Sequence, residues 1–182
     1  MAYKLIEGGG VTTPKGFLAG ACYVGVKSRK SEKPDVAIIY SEQPASCAAL
    51  FTTNKFCAAP VILDREILKK GKARAVVINS GNANAATGPQ GIEDAKRVET
   101  EAEKLLNLGE DEVFVCSTGV IGQKLPVEKV LEGVRRVVPE LSPDKGSDAA
   151  WAIMTTDLVR KEIAMEFDTC GIGGIYQCRK IH

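Results

Sequence analysis

The residues with chemistry to offer sit where apolar runs give way to small ones. Val113-Phe-Val-Cys reads as a buried strand, and Ser117-Thr-Gly-Val-Ile-Gly122 then removes bulk from the chain. A turn of this composition can present backbone N–H groups and a hydroxyl as an oxyanion or phosphate cradle; the same residues also build an ordinary strand-to-helix turn. Ser80-Gly-Asn-Ala-Asn-Ala-Ala-Thr-Gly88 places polar side chains after a second apolar run, Ala73 to Asn79. There Asn79, Asn82 and Asn84 could support or line a site, or cap the turn through bonds to their own backbone. Thr155-Thr156-Asp157 sets two further hydroxyls at the end of a helical stretch.

Other chemistries are narrowed by what the chain holds. The single histidine, His182, stands at the chain end, so no Ser-His-Asp or Cys-His arrangement is built within this chain. Cys22, Cys47, Cys57, Cys116, Cys170 and Cys178 include no C-x-x-C pair, so no metal site is expected, and the thiols should be reduced and mostly buried. Neither a Gly-x-Gly-x-x-Gly fingerprint nor a Gly-Lys-Ser/Thr phosphate loop is present. With 24 Lys+Arg against 23 Asp+Glu, well mixed, no field marks the chain for nucleic acid or an anionic membrane. No apolar run approaches the roughly 20 residues that span a bilayer, and Met1 to Gly10 lacks a secretory core, so a cytoplasmic location is expected.

The elements that must position these residues follow from periodicity. At 182 residues, residues 1–182 are expected to form one α/β domain with a proper core. Strands are expected over 18–26, 35–40, 45–52, 73–79, 113–116 and 161–167, with a turn at Ser41-Glu-Gln-Pro44 and a charged loop over 28–34. Asp64 is expected to cap a short helix that stops at Gly71. Ile92, Ala95, Val98, Ala102, Leu105 and Leu106 form the stripe of an amphipathic helix, and Val127, Val130, Leu131, Val134 and Val138 mark a second over 126–138. A third helix begins near Asp144, with Ala149, Ala150, Ile153 and Met154 inward. Sheet should pack against helix, the sheet being mixed rather than wholly parallel.

Taken together, Ser80-Gly-Asn-Ala-Asn-Ala, Ser117-Thr-Gly-Val-Ile-Gly and Ala152-Ile-Met-Thr-Thr-Asp157, with Val11-Thr-Thr-Pro-Lys-Gly-Phe17 and Phe51-Thr-Thr-Asn54, closely resemble the N-terminal α part of the bifunctional ornithine acetyltransferase/N-acetylglutamate synthase family of arginine biosynthesis, from about Gly8 to Phe167. The resemblance implies an α+β fold of the ornithine acetyltransferase/aminopeptidase-like kind, with mixed sheets sandwiched by helices. It implies a precursor that cuts itself at an Ala-Thr bond, so that this α chain works with a β chain whose N-terminal threonine is the nucleophile, in an α2β2 heterotetramer. It further implies transfer of acetyl from N-acetylornithine to glutamate through an acetyl-threonine, with no cofactor and with acetyl-CoA as a second donor in bifunctional members. The nucleophile's own α-amino group would serve as its base, which suits a chain poor in histidine. By the same resemblance Thr118 and Gly119 are the oxyanion donors, and Thr155 or Thr156 contacts substrate. No threonine follows Thr169, and Tyr176-Gln-Cys-Arg-Lys-Ile-His182 departs from the family, so the 168–182 tail is atypical and Lys180 has no safe counterpart. A non-catalytic, shortened relative that keeps a small-ligand pocket is the alternative reading.

Overall fold

A computed structural model describes residues 3–27, 32–169 and 172–176. Along the chain lie β1 (Tyr3–Ile6), β2 (Phe17–Cys22), β3 (Val36–Ser46), α1 (Ala59–Ile67), β4 (Lys72–Asn82), α2 (Gly88–Leu106), β5 (Val113–Val120), α3 (Val127–Val137), α4 (Gly146–Ala152), β6 (Ala164–Thr169) and β7 (Ile172–Tyr176). The main sheet runs β2-β3-β4-β5, with antiparallel pairing except between β4 and β5, which are parallel and joined through α2. Such a parallel pair needs a crossover, and α2 supplies it. A smaller antiparallel sheet is ordered β1-β6-β7. The sheet is therefore mixed and helix-covered, as the periodicity implies. Part of the supposed tail is a strand, β7, while Cys170, Cys178, Lys180 and His182 lie outside the described residues.

Alternation along the strands divides the core. Val36, Ile38, Ala75, Val77, Val113 and Val115 face α2 and α3, which return Val98, Ala102, Val130, Leu131, Val134 and Val137. On the other face, Ala149 and Ala152 of α4 pack on Ala19 and Ala37, with Val11, Ala21 and Ile39 at the margin. Because α4 covers β2 and β3, the same face of β4 and β5 leaves Val76, Phe114, Cys116 and Thr118 half-buried. Both sheet edges are occupied. At β5, Asp64 Oδ1 accepts the Val115 N–H at 3.0 Å. At β2, Ala19 and Ser142 exchange two backbone hydrogen bonds, each 3.0 Å.

Several local expectations are corrected. Ser41 to Pro44 is no turn: β3 runs on to Ser46 with an irregularity between Tyr40 and Ala45, and residues 47–58 are irregular where a strand was expected. Pro44 has no N–H for the ladder, and the Arg74 side chain donates instead to the Ser41 carbonyl at 3.1 Å, to the Glu42 carbonyl and to the Tyr40 hydroxyl. α1 starts at Ala59, with Pro60 in its first turn, so Asp64 is a buried mid-helix residue rather than a cap. In α2, Ile92 and Leu105 are exposed, while Asp94, Glu99 and Glu103 are buried beside Ala95, Val98 and Ala102. The apolar stripe marked the correct face but not its width. Cys22, Cys47, Cys57 and Cys116 are half-buried rather than fully enclosed.

Glu99 carries the cost of that burial. It has no exposed surface, and Lys96 Nζ lies 2.9 Å from Oε2 without hydrogen-bond alignment, so neither carboxylate oxygen has a hydrogen-bonding partner. Burial pushes its carboxyl up to about 7 against the pull of Lys96, with Glu103 and Asp111 adding to the rise. Burial does the same to Asp64, also to about 7, with the charge of Glu99 contributing. Each group binds its proton more tightly folded than unfolded, where the value is about 4. The contribution to stability is full below pH 4 and is lost as pH rises through 7. Glu99→Gln should therefore raise Tm at pH 8 by several degrees, at roughly 2–4 °C per kcal/mol for a chain of this size, and change it much less at pH 5. Thermal melts at the two pH values test this; equal shifts would rule out Glu99 as the source.

Candidate functional site

The carboxyl ends of β4 and β5 meet without room for side chains between them. Ser80 pairs with Thr118 and Gly81 with Gly119. Gly119 has φ 140° and Gly81 φ 112°, a region side chains rarely allow. A Cβ on Gly119 would stand 2.3 Å from the Gly81 carbonyl carbon, and one on Gly81 would stand 2.5 Å from Lys27 Cα. Three stretches of backbone are thus stacked in contact, and Thr118 immediately precedes the glycine of one of them.

The asparagines lock this stack from within. Asn79 accepts from the Ser117 hydroxyl at 2.6 Å and donates to the Asn82 carbonyl at 2.9 Å. Asn82 donates to the Gln123 and Lys124 carbonyls, both at 3.1 Å, and accepts the Asn84 N–H at 2.7 Å. Asn84, at φ 45°, donates to the Gly91 carbonyl and accepts from Thr87. All three are buried and their amide groups are engaged by protein, so they brace the strand ends and the start of α2 rather than line the cavity.

A second support comes from residues that the sequence did not single out. Asp35 is fully buried at the base of β3, and its carboxylate accepts the N–H groups of Val24 (2.8 Å), Val26 (2.6 Å) and Lys27 (3.1 Å), while its carbonyl accepts from Ser80 N at 2.9 Å. This folds residues 24–27 over Gly81. Lys27 Nζ then reaches the Ala152 carbonyl at the end of α4, 2.9 Å away, and the Ser80 hydroxyl donates to the same oxygen. Burial, followed by the charge of Lys33, pushes the Lys27 ammonium down to about 8.

A cavity of about 940 Å³ opens beside the strand ends, between the sheet face, α1 and the irregular 47–58 segment. Phe17, Phe51, Phe56 and Phe114 give it an apolar wall, and Thr118 and Gly119 line it. A hydroxyl and a glycine N–H at such a wall can bind a carbonyl oxygen as it becomes an oxyanion, and exclusion of water strengthens both bonds. Asp64 also lines the cavity, but its carboxylate is engaged by Val115, and no imidazole occurs among the described residues. Thr155 and Thr156 are exposed in the turn after α4 and do not line this cavity. The Ala152 carbonyl that Ser80 and Lys27 bond lies three residues before Thr155.

The sequence model described as the ArgJ family matches residues 18–178. The chain is 52% identical over 163 residues to the arginine biosynthesis bifunctional protein ArgJ of Caldanaerobacter subterraneus subsp. tengcongensis, covering 90% of this chain and 40% of that protein. To the protein of the same description from Dehalococcoides mccartyi it is 45% identical over 167 residues, covering 92% and 41%. The chain thus spans about 40% of the length of these curated relatives. Among solved structures, the arginine biosynthesis bifunctional protein ArgJ of Bacillus halodurans superposes with a TM-score of 0.88 at 35% identity, covering 97% of this chain and 91% of that one. The ornithine acetyltransferase of Mycobacterium tuberculosis, solved in complex with ornithine, superposes with 0.83 at 38% identity, covering 96% and 94%.

The stacked backbones make Gly119 a test of geometry. Gly119→Ala should cost about 2 kcal/mol or more, since it adds left-handed strain to a clash with backbone that cannot rotate away. A denaturant melt reads the loss; a variant as stable as the parent would show that the strand ends are not in contact.

Proposed function

The chain belongs to the ArgJ family, and on that premise we propose that it is the α chain of a glutamate N-acetyltransferase, supplying the oxyanion donors and part of the substrate site to a nucleophile carried by a β chain. The observation that carries this is the placement of Thr118 and Gly119, whose hydroxyl and backbone stand together at the apolar cavity. The solved relative that superposes with a TM-score of 0.83 is an ornithine acetyltransferase with ornithine bound, which supports an ornithine derivative as the donor.

In this reading the β-chain threonine hydroxyl attacks the acetyl carbonyl of N-acetylornithine, and its own α-amino group takes the proton. Thr118 Oγ–H and Gly119 N–H bind the oxyanion of the tetrahedral intermediate. As the intermediate collapses, the proton passes to the departing amine and ornithine leaves. The amino group of glutamate then attacks the acetyl ester, the same donors hold the second oxyanion, and N-acetylglutamate and free threonine result. Thr155 or Thr156 holds the amino-acid portion of the substrate. No cofactor is required, and acetyl-CoA can enter as an alternative acyl donor in the first step. The exposed apolar side chains Leu50, Phe56, Ile121, Leu158 and Val159 fit a surface covered by the β chain in an α2β2 assembly.

Thr118→Ala in the assembled enzyme should lower kcat by roughly 10²–10³ with little change in KM. Lys124→Ala, an exposed control nearby, should leave kcat unchanged; equal losses in both would remove Thr118 from the chemistry. The second expectation is that this chain expressed alone transfers no acetyl group and does not behave as a monomer of 19.4 kDa. Size-exclusion chromatography with light scattering, followed by an acetyl-transfer assay on the peak, checks both. An active monomer would defeat the composite site, whereas an inactive chain that binds ornithine without a partner would favour a non-catalytic relative.

A further inference from the structure

Resting on the acyl-transfer reading above, we infer that Ser80 and Lys27 are positioning residues: they hold the turn bearing Thr155 and Thr156 against the Thr118–Gly119 strand end, and so govern amino-acid binding without touching the acetyl group. The Ala152 carbonyl receives the Ser80 hydroxyl and the Lys27 ammonium together, and two residues on, the Met154 carbonyl receives Lys33 Nζ at 3.1 Å. Lys27 donates once more, to Pro34 at 3.4 Å. One short turn therefore draws two lysines and a fully buried serine, although its own threonines are exposed.

The tether shares its footing with Thr118. Ser80 is the register partner of Thr118, and in paired strands such partners share a face. Lys27 is pinned by Asp35 and presses on Gly81, which presses on Gly119. Thr155 follows Ala152 by three residues, at most roughly 11 Å of chain, and the Met154 N–H to Trp151 carbonyl bond folds that span back. Of the bonds to this turn, those that tie it to the Thr118 strand pair converge on one oxygen, that of Ala152. Loosening it would leave the oxyanion donors in place and blur the hydroxyls that receive the amino acid, a loss of binding rather than of rate.

The experiment uses the assembled α and β chains with Ser80→Ala and Lys27→Met, and with Lys27→Arg as the conservative variant. The Thr155→Val and Thr156→Val variants, which lose a hydroxyl, identify the threonine that raises KM for N-acetylornithine. Ser80→Ala and Lys27→Met should each raise that KM roughly three- to tenfold, the loss of one hydrogen bond, with kcat within about twofold of the parent and Lys27→Arg closer to it. In the background of the KM-raising threonine variant, Ser80→Ala should add less than about twofold, because the two act through one contact. A lower Tm with KM unchanged, a fall in kcat alone, or full additivity would overturn the inference. KM unmoved by both threonine variants would overturn the binding role it rests on; KM moved by a threonine variant but by neither Ser80→Ala nor Lys27→Met would overturn the tether alone.

Discussion

The contact between Gly81 and Gly119, with Lys27 backbone lying across the first of them, is the constraint on which the rest of the site depends. Two parallel strands that end this close together cannot diverge into their following loops in the ordinary way. The chain after β4 is turned aside by Asn82 and Asn84, and the chain after β5 is held by the bond from Gly122 N to the Ala85 carbonyl, 2.9 Å. The position of the Thr118 backbone is therefore set by close packing of backbone on backbone. In the proposed acyl transfer, donors held this way would suit stabilisation of developing charge, because they need no rearrangement when it appears.

Burying so many polar groups is tolerable only if each is answered. Asn79, Asn82, Asn84 and Asp35 act as extra lengths of backbone, supplying acceptors and donors where no strand or helix can continue. Glu99 is the contrast: it sits as deep as any of them, neither of its carboxylate oxygens has a hydrogen-bond partner, and burial raises its proton affinity against the pull of Lys96. The saturated polar network lies beside the strand ends at the candidate site, and the unsaturated one lies behind the sheet in α2, where it affects stability.

What was legible in the sequence had a local signature. β4 and β5 announced themselves as β-branched apolar runs, and the small residues after them marked where the strands stop being ordinary. α3 and the alanine face of α4 followed from spacing, since a helix buries the same stripe wherever it packs. The illegible part was made by distance along the chain. Lys27 fell between the expected strand over 18–26 and the charged loop over 28–34, and nothing near it shows that its ammonium meets a carbonyl 125 residues away. Asp35 looked like the first residue of a strand, and its three N–H partners lie 8 to 11 residues back, where the expected strand over 18–26 in fact ends at Cys22 and leaves Val24, Val26 and Lys27 to be bonded by a side chain. The irregularity in β3 was misread because Pro44 signals a break, whereas the Arg74 side chain supplies what the ladder loses there.

The main sheet is finished at both sides: the outer N–H of Val115 is given to Asp64, and the outer backbone of Ala19 is given to Ser142. A helical carboxylate stands where a fifth strand would begin, and a two-residue clasp stands at the opposite rim. Sheet growth by strand addition, the easiest route by which one polypeptide recruits another and also the route to fibrous aggregates, is blocked at these points. At these points contact with another chain would have to run through exposed side chains such as Leu50, Phe56 and Ile121 instead. Association of that kind is read out by matching side-chain shape rather than by generic backbone pairing, which favours one partner over many.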